Sequence, residues 1–342
     1  DYAEYFTPNA VSRIIASCLI NKNVKNVTCY DPSAGSGTLL MNLAHEIGEN
    51  KCSIYSQDIS QKSSSFLRLN LILNNLVHSI PNAIQGNTIK DPYHKENNKI
   101  KLFDFIVSNP PFKTDFSNYR NDLETKENRP RFFAGIPKIP PKDKKKMEIF
   151  LLFIQHIISS LSKNGKAAIV VPSGFLKSKS IGQIIRKYLI ENKMLTGVIS
   201  MPKNIFANTG TRVSIMFIDK ESVNDDPIFI NATKLGTAVK EGDNEKTVLS
   251  LEEESLITST FKKRLAKENF SIKVSEAEII KKKYSFSAGD YMLVKIDYSE
   301  ISKTEFDKKI ELSKQKIKEL NDDSKKLDAE INKNLEKINY DI

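Results

Sequence analysis

The stretch TGVISMPKNIFANTGTRVSIMFID, Thr196 to Asp219, contains two apolar runs that read as strands, TGVISMP and VSIMFID, joined by the ten residues KNIFANTGTR. A parallel return within one sheet needs a crossover of about a dozen residues or more, usually a helix. Ten residues therefore predict that these two strands pair antiparallel. Upstream, the runs VTCYD (27–31), SIYSQD (53–58), FDFIVS (103–108) and KAAIVVP (166–172) alternate with helical patterns such as GTLLMNLAHEI and EIFLLFIQHIISSL. That alternation predicts an α/β fold with a doubly wound, mostly parallel sheet. An antiparallel last hairpin departs from the dinucleotide-binding version of such a sheet.

The 342 residues suffice for one large domain and an appendage. Lysine and arginine number 52 against 42 acidic residues, and this basic excess attracts phosphate backbones. Cys18, Cys29 and Cys52 show no CxxC spacing, and the four histidines cluster neither with them nor with each other. Reduced thiols and no metal site are expected. The most apolar run, IFLLFIQHIISSL, is too short to span a bilayer and is interrupted by Gln155 and His156. With no signal-peptide pattern, the sequence predicts a cytoplasmic protein without a membrane partner. Because the chain begins at Asp1 without a methionine, a fragment lacking an N-terminal region is expected.

Between Lys113 and Met147 lies a polar, proline-bearing segment with ten basic and five acidic residues. A loop that long inside a domain is functional or disordered more often than not. Beyond about Lys220 the strand–helix pattern weakens. From Ser299 onward there is no glycine or proline, and Ile310, Ile317, Leu320, Leu327, Ile331 and Ile338 fall on heptad a/d positions, a seam interrupted by Ser313, Ser324 and Asn334. A long C-terminal helix is predicted. The chain thus divides into 1–220, a catalytic α/β domain; 221–298, a small α/β extension; and 299–342, a helical tail for subunit assembly.

Three motifs carry chemistry. VTCYDPSAGSGTLLMNLA runs from a strand through Asp31 and Ser33 into a Gly35-x-Gly37 turn and a helix. Glycines there admit a ligand to the backbone, and the helix start favours electronegative groups. The third glycine of the G-x-G-x-x-G fingerprint is missing, so pyrophosphate is not the expected ligand. Asp31 could hold an ammonium instead, such as that of the methionine moiety of S-adenosylmethionine; a bare tight turn is the plainer alternative. Asp58 ends the next strand, where an acidic residue accepts ribose hydroxyls in nucleoside-binding α/β folds. A helix N-cap is its other possible post, with Ser60 as rival.

The third motif is SNPPF, Ser108 to Phe112, which chance would place in only roughly one such chain in ten thousand, given proline near 5%. It sits at the carboxyl end of a central strand, where ligands bind in such sheets. Each proline fixes its own φ and restricts the residue before it. The corner therefore presents two acceptors, the side-chain oxygen of Asn109 and the carbonyl of Pro110, with no nearby backbone donor. Two fixed acceptors can hold both hydrogens of an exocyclic amine and leave its lone pair free to attack a methyl sulfonium. Phe112 would stack on the ring, or simply pack.

With EYFTP (Glu4 to Pro8), DPSAGSG, SQD and SNPPF in this order, the sequence resembles the γ-type DNA adenine-N6 methyltransferases. It is most similar to the modification (M) subunits of type I restriction-modification systems, closely over about Asp1 to Lys220. The predicted antiparallel hairpin fits the methyltransferase variant of the α/β sheet. The resemblance implies S-adenosyl-L-methionine as cofactor, with Phe6, Thr7 and Pro8 over its methionine end and Asp31, Ser33, Gly35 and Gly37 along its turn. Asp58 would hold the ribose, and Asn109, Pro110, Pro111 and Phe112 would take an adenine flipped out of double-stranded DNA, with Asn109 also touching the cofactor. Family members often carry Gly-Asp-Thr where this chain has Gly86-Asn87-Thr88, and a glutamate where it has Asp58. The Asn87 oxygen is expected to accept from the cofactor's adenine amine, with weaker binding as the result. The resemblance also implies a helical N-terminal domain ahead of FTP, a DNA-specificity subunit that packs against the tail, and a restriction (nuclease/translocase) subunit. Methylation of a protein glutamine or an RNA guanine amine, or a non-catalytic assembly role, remain the alternatives.

Overall fold

The computed structural model describes residues 7–20, 23–206, 211–221, 225–241, 244–292 and 302–335, so Phe6 and Ile338 lie outside the described residues. The strands are β1 (Val27–Asp31), β2 (Cys52–Asp58), β3 (Ala83–Gln85), β4 (Lys95–Glu96), β5 (Lys99–Ile100), β6 (Phe103–Ser108) and β7 (Leu161–Pro172). After them come β8 (Leu195–Ser200), β9 (Val213–Asp219), β10 (Ile228–Asn231), β11 (Thr237–Glu241), β12 (Asn244–Val248) and β13 (Ser271–Lys273). Nine form one sheet in the order β13-β10-β8-β9-β7-β6-β1-β2-β3, while β4-β5 and β11-β12 are separate ribbons. Pairing is parallel from β3 through β7. Strand β9 then inserts antiparallel between β7 and β8, with Met216 opposite Ile169 and Ile215 opposite Ile199, as the ten-residue connection predicts.

The helices are α1 (Asn9–Leu19), α2 (Thr38–Ile47), α3 (Gln61–Leu73), α4 (Phe150–Ser160), α5 (Ile181–Glu191), α6 (Leu251–Lys263), α7 (Glu276–Lys281) and α8 (Lys303–Leu335). Alternate residues of the central strands face opposite cores. Cys29, Val107, Ala168, Val170 and Phe217 meet residues of α1, α2, α3 and α6, whereas Tyr30, Ile106, Ile169, Val171 and Met216 meet α4, α5 and α7. Burial on both faces is why these strands read as continuous apolar runs rather than as alternations. In α1, Val11, Ile14, Ile15, Cys18 and Leu19 are buried, the 3–4 spacing of a helix with one apolar side.

From β1 the chain builds outward through β2 to β3, then returns to place β6 on the other side of β1. The strand order reverses there, and the loops leaving the carboxyl ends of β1 and β6 diverge around a crevice. Those two loops are PSAGSG and NPPF.

Residues 113–147 are folded. Phe116, Leu123, Phe132 and Met147 form a third core with Ile89, Ile149, Leu152 and Phe153, and Thr114 N–H donates to the Met147 carbonyl at 3.1 Å to close the base. The apolar residues are too widely and irregularly spaced for a periodic pattern, which is why the segment reads as a loop. Past Lys220, β10 pairs parallel with β8 and β13 antiparallel with β10, so the segment lengthens the same sheet. The chain divides into two compact units, Asp1–Leu293 and Val294–Ile342. In the second, α8 has no buried side chain among its described residues. No helix among the described residues is long and apolar enough to cross a membrane.

Candidate active site

Asp31 closes β1 and is almost wholly buried. Its Oδ1 accepts from the Ser33 N–H at 2.9 Å and from the Ser33 hydroxyl at 3.4 Å. Burial pushes its carboxyl up to about 7, against the pull of these hydrogen bonds. A carboxylate so poised gains most from a nearby cation.

The turn that follows shows why glycine is needed at both positions. At Gly35, with φ +54, no atom would lie within 4 Å of an added Cβ, so the turn borders open space. At Gly37, with φ +86, a Cβ would come within 2.0 Å of Leu67 Cδ1. The second glycine thus serves close packing of α2 against α3, and the first opens the turn to a ligand.

Asp58 closes β2 and joins two segments: Oδ2 accepts from the Gly35 N–H at 2.8 Å, and Oδ1 from the Ser60 N–H at 2.9 Å. The N-cap of α3 is Ser60, whose hydroxyl accepts from Ser63 N–H. Asp58 is therefore held against the glycine turn rather than used as a cap. A carboxylate has about four acceptor sites, so ribose hydroxyls would add to these bonds. Two residues past β3, Asn87 accepts through Oδ1 from the N–H groups of Ile89 and Lys90, both at 3.1 Å. That turn occupies the oxygen expected to meet an adenine amine and leaves the Nδ2 side of the amide outward.

The parallel pairing of β1 with β6 brings the corner to the same crevice. The Ser33 and Ser108 hydroxyls lie 2.7 Å apart, so the glycine loop and SNPPF touch one residue before Asn109. Asn109 Nδ2 donates to Thr7 Oγ1 at 3.2 Å. That bond fixes the amide and leaves Oδ1 as an acceptor. Pro8 is the N-cap residue of α1, so the helix start carries Thr7 to the corner. Pro110 is buried, Pro111 exposed and Phe112 half-buried. The Phe112 ring meets Phe150 edge-on, with centroids 6.2 Å apart, which leaves ring surface for a ligand.

Of the sequence-predicted residues, Asp31 with Ser33, Gly35 with Asp58, and Asn109 with Thr7 are paired by these bonds, and Ser33 reaches the corner through Ser108. Ser108 was missed although it opens the motif. His156 and Tyr30 were missed too: the His156 ring Nε2 and the Tyr30 hydroxyl are 3.2 Å apart and buried, and burial holds the imidazole well below its usual range, hence neutral. No local signal marks either residue, because a strand and a distant helix bring them together.

The open turn at Gly35, two carboxylates at neighbouring strand ends and a rigid acceptor corner suit a nucleoside bearing a cationic amino-acid tail. Residues 1–300 match the family model described as N-6 DNA methylase. The type I restriction enzyme MpnII methylase subunit of Mycoplasma pneumoniae is 28% identical over 346 residues, covering 99% of this chain and 61% of that protein. The MjaIX methylase subunit of Methanocaldococcus jannaschii is 27% identical, over 98% of this chain and 60% of that one. A crystal structure of a type I restriction-modification system methyltransferase subunit from Streptococcus thermophilus aligns with a TM-score of 0.69 at 25% identity, over 83% of this chain and 58% of that chain. The present chain thus spans about three-fifths of the length of these curated relatives. A family match over most of the residues, on a sheet whose two ligand-facing loops meet at Ser33 and Ser108, leaves one conclusion: the chain belongs to the N-6 DNA methylase family.

Proposed function

We propose that this chain is the catalytic part of a DNA methyltransferase modifying the N6 amino group of adenine, with S-adenosylmethionine as methyl donor. The observation that carries the reading is the junction of Ser33 with Ser108, 2.7 Å apart, which sets a cofactor-type glycine turn beside Asn109. The cofactor supplies an electrophilic methyl group on a sulfonium. Asp31 would hold the ammonium and Asp58 the ribose. Asn109 Oδ1, aimed by Thr7, would accept one hydrogen of the adenine amine and the Pro110 carbonyl the other. Held that way, the nitrogen keeps its lone pair free without a strong base. Phe112 would stack on the base, a contact worth about 1–3 kcal/mol, and alignment of amine and methyl supplies much of the remaining acceleration.

The insertion exposes Lys113, Lys126, Arg129, Lys138, Lys142 and Lys144 to Lys146, a set suited to DNA phosphates. The exposed apolar stripe of α8 suits a partner helix, read here as belonging to a DNA-specificity subunit; a restriction subunit would complete the assembly. A subunit acting on cellular DNA would work in the cytoplasm. The test is transfer of labelled methyl from S-adenosylmethionine to unmethylated DNA by the full-length subunit, with and without its specificity partner. N6-methyladenine in the digested product is the expected outcome. Label on another base, or none with the partner present, overturns the reading.

A further inference from the structure

Arg131 belongs to the insertion, yet only 3% of it is exposed. Among the described residues no carboxylate pairs with it. Its Nη2 donates to the Thr88 carbonyl at 2.7 Å, Nη1 to the Ile89 carbonyl at 2.8 Å, and Nε to His156 Nδ1 at 3.1 Å. A buried cation without a counter-charge is costly, and burial lowers this guanidinium to about 10. A segment needing only to pack would carry an apolar residue there. Instead the fork holds one loop beside the crevice directly and reaches the end of a neighbouring strand through His156.

The first is the loop after β3. Thr88 and Ile89 follow Asn87, and the Thr88 hydroxyl donates to the Pro32 carbonyl at 2.6 Å, in the glycine loop itself. The second is the end of β1. Since His156 Nδ1 accepts from Arg131, its Nε2 carries the proton and donates to the Tyr30 hydroxyl, next to Asp31. One planar guanidinium therefore ties the loop after β3 directly, and the end of β1 through His156, from a segment whose other basic side chains, Arg120 apart, are exposed.

We propose that Arg131 is a positioning residue of the cofactor site, through which the basic insertion sets the loops after β1 and β3. The proposal rests on the S-adenosylmethionine reading above and adds that the insertion shapes that site from beneath. Lysine at this position keeps the charge but cannot span two carbonyls and an imidazole in one plane. Methionine keeps the length and removes the charge.

The experiment is calorimetric titration of S-adenosylmethionine into the full-length subunit and its Arg131→Lys and Arg131→Met variants, with melting temperatures and amide exchange alongside. Both variants should bind about tenfold more weakly or worse, given the charge-assisted bonds lost. Exchange at the Ile89 and Lys90 amides should speed up, while folded variants keep a cooperative melt. Wild-type affinity in either folded variant, or unchanged exchange at those amides, overturns the proposal. If neither variant folds, His156→Gln, which cuts only the imidazole link, carries the test: about threefold weaker binding supports the proposal and equal affinity overturns it. No binding by the wild-type subunit would instead sink the cofactor reading, and this inference with it.

Discussion

Arg13 of α1 and Glu254 of α6, 241 residues apart in sequence, meet in a two-toothed ion pair, Nε to Oε2 at 2.9 Å and Nη2 to Oε1 at 2.6 Å. The side chain of Glu254 is only 9% exposed, that of Arg13 48%. The pair braces the helix whose first turn follows Pro8 and Thr7, and Thr7 in turn holds the Asn109 amide. Arg13→Ala should cost about 1–3 kcal/mol in urea denaturation, below the ~3–5 of a fully buried broken pair because water screens the half-exposed arginine. Glu254→Gln should cost less, since the amide oxygen still accepts. An Arg13→Ala variant as stable as wild type would show that the brace carries no weight.

On the proposed reading, in which Asp31 holds the cofactor's ammonium, cofactor affinity should depend on pH. Its folded-state value is raised to about 7, against about 3.9 for a free aspartate. A raised value means that this group's contribution to stability is full below about 4 and is lost as pH rises through 7. A cofactor ammonium held there would reverse the balance, because it would bind the ionised form. Affinity should therefore rise about fivefold from pH 6 to pH 7, as the ionised fraction grows, in a range below the titration of an α-amino group near 7.7–8.0. Calorimetry at the two pH values checks this, and Asp31→Asn should flatten the dependence while weakening binding throughout.

Asn87 offers the converse change, a gain. Its oxygen is engaged by the Ile89 and Lys90 N–H groups, so the outward side of the amide is a donor, mismatched to an adenine amine. Asn87→Asp keeps one oxygen on the turn and turns a second one outward. The variant should bind S-adenosylmethionine about tenfold more tightly, the scale of one hydrogen bond to a charged group. Equal or weaker binding would mean that this edge does not meet the base.

The strands and the site differed in how far local pattern could reveal them. Ten residues between two apolar runs were enough for the antiparallel β9, because chain length alone forbids a crossover there. The placing of Asp31, Asp58 and Asn109 around one crevice was legible because each sits where a strand ends. Arg131 and His156 were not, since a buried arginine that pairs with carbonyls leaves no periodic or charge-pair signature. Nor did β10 and β13 stand out: they are four and three residues long and owe their place to a neighbouring strand rather than to their own pattern. The orientation of the Asn87 amide could not be read either, because only the turn decides which of its ends is engaged.

At the corner, the Asn109–Thr7 bond separates aiming from accepting. Asn109→Ala should abolish methyl transfer and leave cofactor affinity nearly intact, because it removes an interaction made with the reacting amine. Thr7→Val keeps the acceptor but frees the amide to rotate. It should lower kcat roughly tenfold while changing KM for DNA little, the pattern of a lost transition-state contact. Full turnover in Asn109→Ala would end the two-acceptor mechanism.

Helix α8 has 33 residues, about 50 Å at 1.5 Å per residue. Ile310, Ile317, Leu320, Leu327 and Ile331 are all exposed, although they recur at the spacing of a seam that helices bury against one another. Its remaining positions are mostly charged. A helix with one uncovered apolar stripe is marginal in water without a partner to cover it. If that partner is the specificity subunit, Ile317→Asp with Leu327→Asp places two charges in the seam and should abolish co-purification of the two subunits. Site-specific methylation should vanish with it, because the segment between Lys220 and the tail is small for an independent base-reading domain. Binding of S-adenosylmethionine should survive, since Asp31, Asp58 and Gly35 all lie in the other compact unit. Removal of everything after Ser299 should give the same separation. Site-specific methylation by the truncated subunit alone would show that target recognition lies within the first unit.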